Sequence, residues 1–407
     1  MMRKTLGDVA DYINGRAFKP TEWESVGSPI IRIQNLTNSS TEINRTTGTF
    51  EEKYRVRDGD LLFAWSASLG AYIWSGEDGW LNQHIFKVIP KEGVSKKYLY
   101  YYLLYVVDQL YVKAHGSGMV HITIKPFKAT EIPLPPRSEQ QRTIDRIESL
   151  FSKLDEAKQK AQDALDSFET RKAAILHKAF TGELTAQWRK EHGMGMESWT
   201  SHPLKDVTQI GSGGTPSRKN SQYYLGDILW VKTGEIYWNC IYDSEEKITE
   251  DAIANSSAKL YPAGTVLVAM YGQGLTRGRA AILGVPATTN QAVCTLQPCN
   301  CLEKKYLYYY FMANYWEYRA KAVGGNQPNY SATMIGKWII NIPSALEQTE
   351  IVRILDNLLA KEQQAKEAAE GVLEQIDLIK KAILARAFHG ELGTNDPSEE
   401  SAISLLP

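Results

Sequence analysis

Reading a base edge takes side chains that fork: arginine toward guanine, asparagine or glutamine toward adenine. Lysine, serine, threonine and tyrosine reach the phosphates. In the first half of this 407-residue chain such groups gather at expected strand ends and loops as Arg32, Gln34, Asn35, Ser66 and Ser68. Ser117, inside Gly116-Ser117-Gly118, and Lys125 extend the set. The second half offers Lys232, Thr233, Tyr271, Gln273, Arg277, Arg279, Asn326, Gln327 and Asn329. Arg277 and Arg279, set among glycines in YGQGLTRGR, are the leading candidates for phosphate or guanine contact.

Residue sets that perform catalysis do not assemble. The seven histidines (His84, His115, His121, His177, His192, His202 and His389) form no ligand pair on one helix face. Cys294, Cys299 and Cys301 cluster without a nearby histidine pair, which is poor zinc spacing. With Cys240 they make no disulfide framework, suit a reducing cytoplasm, and read as small core residues in or near a strand. There is no D/N-P-P-Y/F/W segment for a flipped adenine and no strand-to-helix glycine turn suited to adenosylmethionine. The phosphate-cradling G-x-x-x-x-G-K-[ST] pattern, G-x-S-x-G and H-E-x-x-H are absent too. The run GSGGTPSRK at 211–219 reads as a flexible turn that could touch a backbone phosphate. No metal and no active site are expected.

The elements that position the candidates follow from repetition. KKYLYYYLL at 96–104 returns as KKYLYYYFM at 304–312, a shift of 208 residues. Asn82-Gln83 returns as Asn290-Gln291 and AFTGEL at 179–184 as AFHGEL at 387–392, both at the same shift. LGDVADY at 6–12 matches LKDVTQI at 204–210, a shift of 198, so the second copy carries ten extra residues before its Asn-Gln. Two copies make a tandem duplication with pseudo-two-fold symmetry. Ala292 stands in the second copy where His84 stands in the first, which argues against a catalytic role for that histidine.

Each copy opens with short β-type runs such as SPIIRIQNL, DLLFAWSA, HIFKVIP, DILWVKTG and GTVLVAM, bounded by turn residues. Each closes with a long stretch free of proline, begun after a proline-containing stop. In the first stretch Ile144, Ile147, Phe151, Leu154, Leu165, Phe168 and Ile175 step by three, four or their sums. In the second, Val352, Leu355, Leu359, Leu373, Ile376 and Ile383 do the same. Both seams carry lysine at the same two places (Lys158 and Lys172, Lys366 and Lys380), and Glu362 interrupts the second. Such stripes predict paired helices of about 60 Å at ~1.5 Å per residue, antiparallel by symmetry.

The fold class expected is α+β: two β-rich α/β domains in pseudo-two-fold arrangement, separated by two long antiparallel helices as a coiled-coil-like spacer. The boundaries expected are 1–137 and 200–342 for the domains, 138–199 and 343–392 for the spacer helices and linker, and 393–407 for a tail. The C-terminal helix is expected to return to the first domain. Lengthening the helices by a turn is expected to change the spacing between the domains' targets and not the targets.

This arrangement resembles the specificity subunit of type I restriction–modification systems over essentially the whole chain. The resemblance rests on Ile-Pro-x-Pro-Pro-x-x-Glu-Gln at 132–140, its diverged copy at 342–348, and the two Gly-Glu-Leu endings. The second boundary lacks the double proline. The resemblance implies target recognition domains that each read one half of a bipartite, gapped double-stranded DNA sequence. It further implies two modification (methyltransferase) subunits held by the helices, and restriction (nuclease–translocase) subunits that join for cleavage. This chain would bind no cofactor, with S-adenosylmethionine, ATP and Mg on the partner subunits. GGNQPNYS at 324–331 occupies the place of GSGMVHIT at 116–123 and resembles a family segment near DNA.

Two other readings stay open at this point: an autonomous DNA-modifying enzyme with diverged motifs, and a two-headed protein-binding scaffold. Composition is ordinary, with 43% hydrophobic and 23% charged residues, and no apolar run is long enough for a membrane span. The N-terminus lacks an apolar leader, so the cytoplasm is the expected location. The net charge of −1 is an average. The two domain segments each carry +3, residues 138–199 carry −1 and residues 343–407 carry −6. That division favours nucleic acid at the domains, with basic surface on partners adding affinity.

Overall fold

Proline stops the chain at Pro135-Pro136, and a helix of 44 residues, Arg137–Phe180, starts on the next residue. The second long helix, Ala345–Phe388, also has 44 residues. Lacking the double proline, it is capped instead by Ser344, whose hydroxyl accepts from the Glu347 amide at 3.3 Å. Both helices end on the repeated glycine. Gly182 (φ +81°) and Gly390 (φ +73°) take the left-handed turn that side chains resist, which explains the two Gly-Glu-Leu endings.

The computed structural model describes residues 4–37, 41–114, 122–272, 274–321 and 329–394. The chain divides into two compact units, one of residues 1–162 with 369–407 and the other of residues 163–368. Each unit therefore takes part of both long helices, where the sequence boundaries treat the helices as separate segments. The reason is that each seam runs on into a core.

In the first unit Ile144, Ile147, Leu384, Ala387 and Phe388 share one core with Leu6, Phe63, Val88 and Leu103. The C-terminal helix thus returns to the first copy's core. In the second unit Leu176, Ala179, Ile351 and Leu355 join Val266, Leu296 and Phe311. Burying each such side chain stabilises by ~1.5–3 kcal/mol. Pairing is antiparallel within each unit. Lys380 reaches Asp155 at 2.7 Å in the first. In the second, Arg171 meets Glu362 at 2.9 Å while Lys366 lies over the Phe168 ring. Glu362 is thus an ion-pair partner rather than a break.

Three of the predicted runs, DLLFAWSA, HIFKVIP and GTVLVAM, supply strands of the main sheets, while SPIIRIQNL and DILWVKTG supply strands of smaller ones. In the first unit, Ala10–Asn14, Ile85–Pro90, Leu61–Ala64 and Gly70–Ile73 form an antiparallel sheet in that order. In the second, Thr208–Ser212, Val293–Pro298, Val266–Ala269 and Ala280–Leu283 repeat it, and Cys240–Ile241 is added parallel at the edge. Smaller sheets around Ser28–Ile31 and Ile228–Val231 complete the units.

The tyrosine-rich helices, Lys96–Ala114 and Lys304–Ala313, lock onto the long helices in the same way. The Tyr98 hydroxyl donates to the Pro133 carbonyl and its ring meets Phe388; the Tyr306 hydroxyl donates to the Asn341 carbonyl and its ring meets Phe180. All of these equivalents are 208 residues apart. The buried amide of Gln140 accepts from the Ser95 N–H and donates to the Gly93 and Pro135 carbonyls. Gln348 repeats this with Glu303, Cys301 and Pro343. Gln140 and Gln348 at the helix starts are therefore structural locks.

The cysteine expectation needs correction. Cys294 is buried in a strand as expected, and burial pushes its thiol up to about 12. Cys240 is exposed, and Cys299 and Cys301, in the loop after the strand, are exposed and joined as a disulfide. Two-residue spacing on a turn brings their sulfurs together.

Candidate nucleic-acid interface

Three segments converge at one end of each main sheet: the central loop, which joins Leu61–Ala64 to Gly70–Ile73 in the first unit and Val266–Ala269 to Ala280–Leu283 in the second, the Asn-Gln turn, and the stretch before a short helix. In the first unit the loop is residues 65–69. The Trp65 amide donates to the His84 carbonyl at 3.0 Å, and the Ile122 amide donates to the Trp65 carbonyl at 3.0 Å. In the second unit the loop is residues 270–279. The Met270 amide donates to the Ala292 carbonyl at 2.9 Å, and the Tyr330 amide to the Met270 carbonyl at 3.1 Å. His84 and Ala292, and likewise Ile122 and Tyr330, are 208 residues apart, so one frame carries both sites. The longer loop accounts for five of the ten extra residues of the second copy.

The Asn-Gln turns are held by side chain and backbone together. Asn82 accepts from the Gln83 amide through Oδ1 at 2.9 Å, and Asn290 from the Ala292 amide at 3.1 Å. A Cβ on Gly15 would lie 1.9 Å from the Asn82 carbonyl oxygen, and one on Gly213 would lie 2.0 Å from that of Thr289. Within the run at 211–219 the structure thus buries two glycines, while Thr215, Ser217, Arg218 and Lys219 are exposed. Gly213 and Gly214 are buried because two strands of backbone pass too closely for a side chain.

The candidates separate by what surrounds them. Gln34, Ser68, Lys125, Tyr271 and Asn329 are exposed and reach outward. Arg32 is half-buried with its guanidinium over the Trp23 ring. Asn35 and Ser66 are buried, which corrects their reading as groups presented to a duplex. Asn35 accepts from the Arg32 amide at 3.1 Å and closes a turn. Glu235 does the same for Lys232 at 2.7 Å, so the pairs Arg32/Asn35 and Lys232/Glu235 occupy equivalent places. Thr233 starts that turn and is half-buried.

Lys232 is held by Glu245 at 2.9 Å and Glu246 at 3.0 Å. Glu246 also takes a bidentate Arg218, and the Arg218 and Lys232 contacts hold its carboxyl below the ordinary range. The Arg277 guanidinium lies over the buried Tyr330 ring at 5.5 Å, and Arg279 lies over the exposed Tyr237 ring at 5.7 Å. The loop thus brings Arg277 to the segment bearing Asn329. Ser117, Gln273, Asn326 and Gln327 lie outside the described residues.

Sequence reasoning missed Arg218, Tyr237, Tyr111 and Arg319. Each is defined by a partner distant in sequence, and none stands out by composition. Among the described residues no group of three or more His, Cys, Asp or Glu side chains is placed to hold a metal ion. Among them, too, no helix is long and apolar enough to cross a membrane.

A duplicated frame on paired long helices, with a polar loop cluster on each copy, defines a two-headed recognition protein. A family model described as the type I restriction modification DNA specificity domain matches residues 1–165 and again 196–371. The chain belongs to that family, as a type I restriction–modification specificity subunit with two such domains.

It is 23% identical over 419 residues to the specificity subunit of the type I restriction enzyme EcoBI of Escherichia coli, covering 96% of this chain and 86% of that one. The HsdS subunit from Thermoanaerobacter tengcongensis shares the fold, with a TM-score of 0.66 at 19% identity over 96% of this chain and 97% of that one. A chain from a solved structure on complex assembly and conformational transition of the type I R-M system also superposes. Its TM-score is 0.68 at 19% identity over 96% and 98% of the two chains.

Proposed function

We propose that this chain is non-catalytic and that its two units each read one half of a bipartite, gapped double-stranded DNA target. The observation that carries the reading is the repeated frame with unlike side chains. One geometry anchored by Trp65 in the first unit and Met270 in the second carries Ser68 and Lys125 in one and Tyr271, Arg279 and Asn329 in the other. A common frame with different polar tips is what two different half-sites require.

Two modification subunits methylate one adenine per half, and restriction subunits join for cleavage. S-adenosylmethionine, ATP and Mg belong to those partners, and the assembly works in the cytoplasm. The mild +3 charge of each domain segment suits specificity, with affinity completed by basic partner surface. Methylome sequencing of a host carrying the modification genes, with and without this chain, tests the reading. A single gapped adenine motif is expected only with the chain. An unchanged methylome in the presence of both partners refutes it.

A further inference from the structure

We propose that Tyr111 and Arg319 are positioning residues that set the shape in which the central loop of each unit meets DNA. The inference rests on the DNA-reading function above. The two residues are 208 apart and so occupy one place in the repeated frame, on the helical segments Lys96–Ala114 and Tyr315–Lys321. Their side chains differ because their loops differ.

In the first unit the loop has five residues; Trp65 anchors its start, and at its end the Leu69 amide donates to the Tyr111 hydroxyl at 2.9 Å. In the second unit the loop has ten residues and three glycines with positive φ, Gly272 (+147°), Gly274 (+56°) and Gly278 (+88°). Glycines permit this path without enforcing it, and a chain so unrestricted loses much entropy when ordered. The carbonyls of Gly274, Leu275 and Arg277 meet donors from the helical segment Tyr315–Lys321. Arg319 donates from Nη1 to the Arg277 carbonyl at 2.6 Å and from Nη2 to the Gly274 carbonyl at 2.7 Å. The Tyr315 hydroxyl donates to the Leu275 carbonyl between them, and its ring lies 5.3 Å from the Arg319 guanidinium.

A guanidinium bridges two carbonyls because its donors form a fixed fork; an ammonium is a single point and a phenol brings one donor. Both of these contacts are to neutral carbonyls, so they leave its charge in place beneath the loop. Arg319 does not need to touch DNA to act. It decides where Tyr271 and Arg279 stand and where the Arg277 backbone turns.

The test uses the full chain assembled with its modification partners, comparing wild type, R319A, R319K and Y111F by methylome sequencing. With R319A, discrimination is expected to fall about tenfold at one or two base pairs of a single half-site, the size of one lost base contact. The other half-site and the gap stay as in wild type. R319K, which keeps charge and helix propensity, is expected to restore part of that discrimination. Y111F, which keeps the ring but loses the acceptor, is expected to relax the opposite half-site. R319A and R319K profiles identical to wild type would overturn the proposal, and so would relaxation spread evenly over both halves. If wild type itself produces no gapped motif, the DNA-reading function fails instead, which separates the two failures. Thermal unfolding of each assembled variant accompanies the profiles. A variant that unfolds early is set aside for R319K, whose profile then decides.

Discussion

Replacing Glu347 by alanine is expected to strip a buried guanidinium of its counter-charge. Glu347 is fully buried three residues into the second long helix. Its Oε1 accepts from Arg189 Nη1 at 2.5 Å and from the Thr185 hydroxyl at 2.6 Å, and its Oε2 accepts from Trp199 Nε1 at 3.1 Å. The Arg189 side chain is 8% exposed and also donates to the Gly182 carbonyl at 2.6 Å. One carboxylate therefore joins the end of the first helix, the linker and the start of the second helix, all within the second unit.

Removing one member of a buried pair costs about 3–5 kcal/mol, since the other charge stays buried without its partner. The two further donors lose their acceptor as well, but bonds in one network do not add. The expected cost of E347A is therefore about 4–5 kcal/mol rather than their sum. The double variant R189M/E347L has no charge to leave behind and is expected within ~1 kcal/mol of wild type. Urea unfolding of the full chain, followed by tryptophan fluorescence and fitted for two units, measures both. An E347A variant within ~1 kcal/mol of wild type would refute the reasoning, as would a double variant no more stable than E347A.

Further outcomes follow from the repeated frame and the charged cluster. Q140L and Q348L each remove three bonds to buried backbone, and each is expected to cost ~2–4 kcal/mol in its own unit alone. Hydrogen exchange would show protection lost near Ser95 for the first and near Glu303 for the second. Arg218 and Lys232 hold the Glu246 carboxyl below its ordinary range, so its folded form favours the charged state. Its contribution is present above the ordinary carboxylate value and is lost as pH falls through the depressed folded one. E246Q is expected to flatten that acid limb in unfolding titrations. Freed while Glu245 still holds Lys232, Arg218 should also tighten DNA binding by the assembled complex and steepen its salt dependence by about one contact at ~0.9 per phosphate.

Legibility divides along the range of the interactions. The apolar seam residues are buried or half-buried, from Ile144 and Ile147 to Leu355 and Ile376, because helical period and hydrophobic spacing are written in consecutive residues. Of the candidate site, the sequence offered Ser68, Lys125 and Asn329 as polar groups at loops or strand ends, and all three are exposed. Asn35 and Ser66 misled, because a polar residue looks the same whether it faces solvent or a neighbouring strand. Arg319 was invisible because its two carbonyl partners are more than forty residues away.

The sequence by itself determined the duplication, the two long helices, their starts after proline and their glycine endings, and the family. These depend on local periodicity, caps and repeated motifs. Tertiary structure decided which part of each helix belongs to which unit, that Gln140 and Gln348 are locks, and that Glu362 is paired with Arg171. It also decided which polar side chains the fold consumes and which it offers outward. Those outcomes depend on burial and on donors and acceptors brought together from distant segments, and no local pattern specifies them.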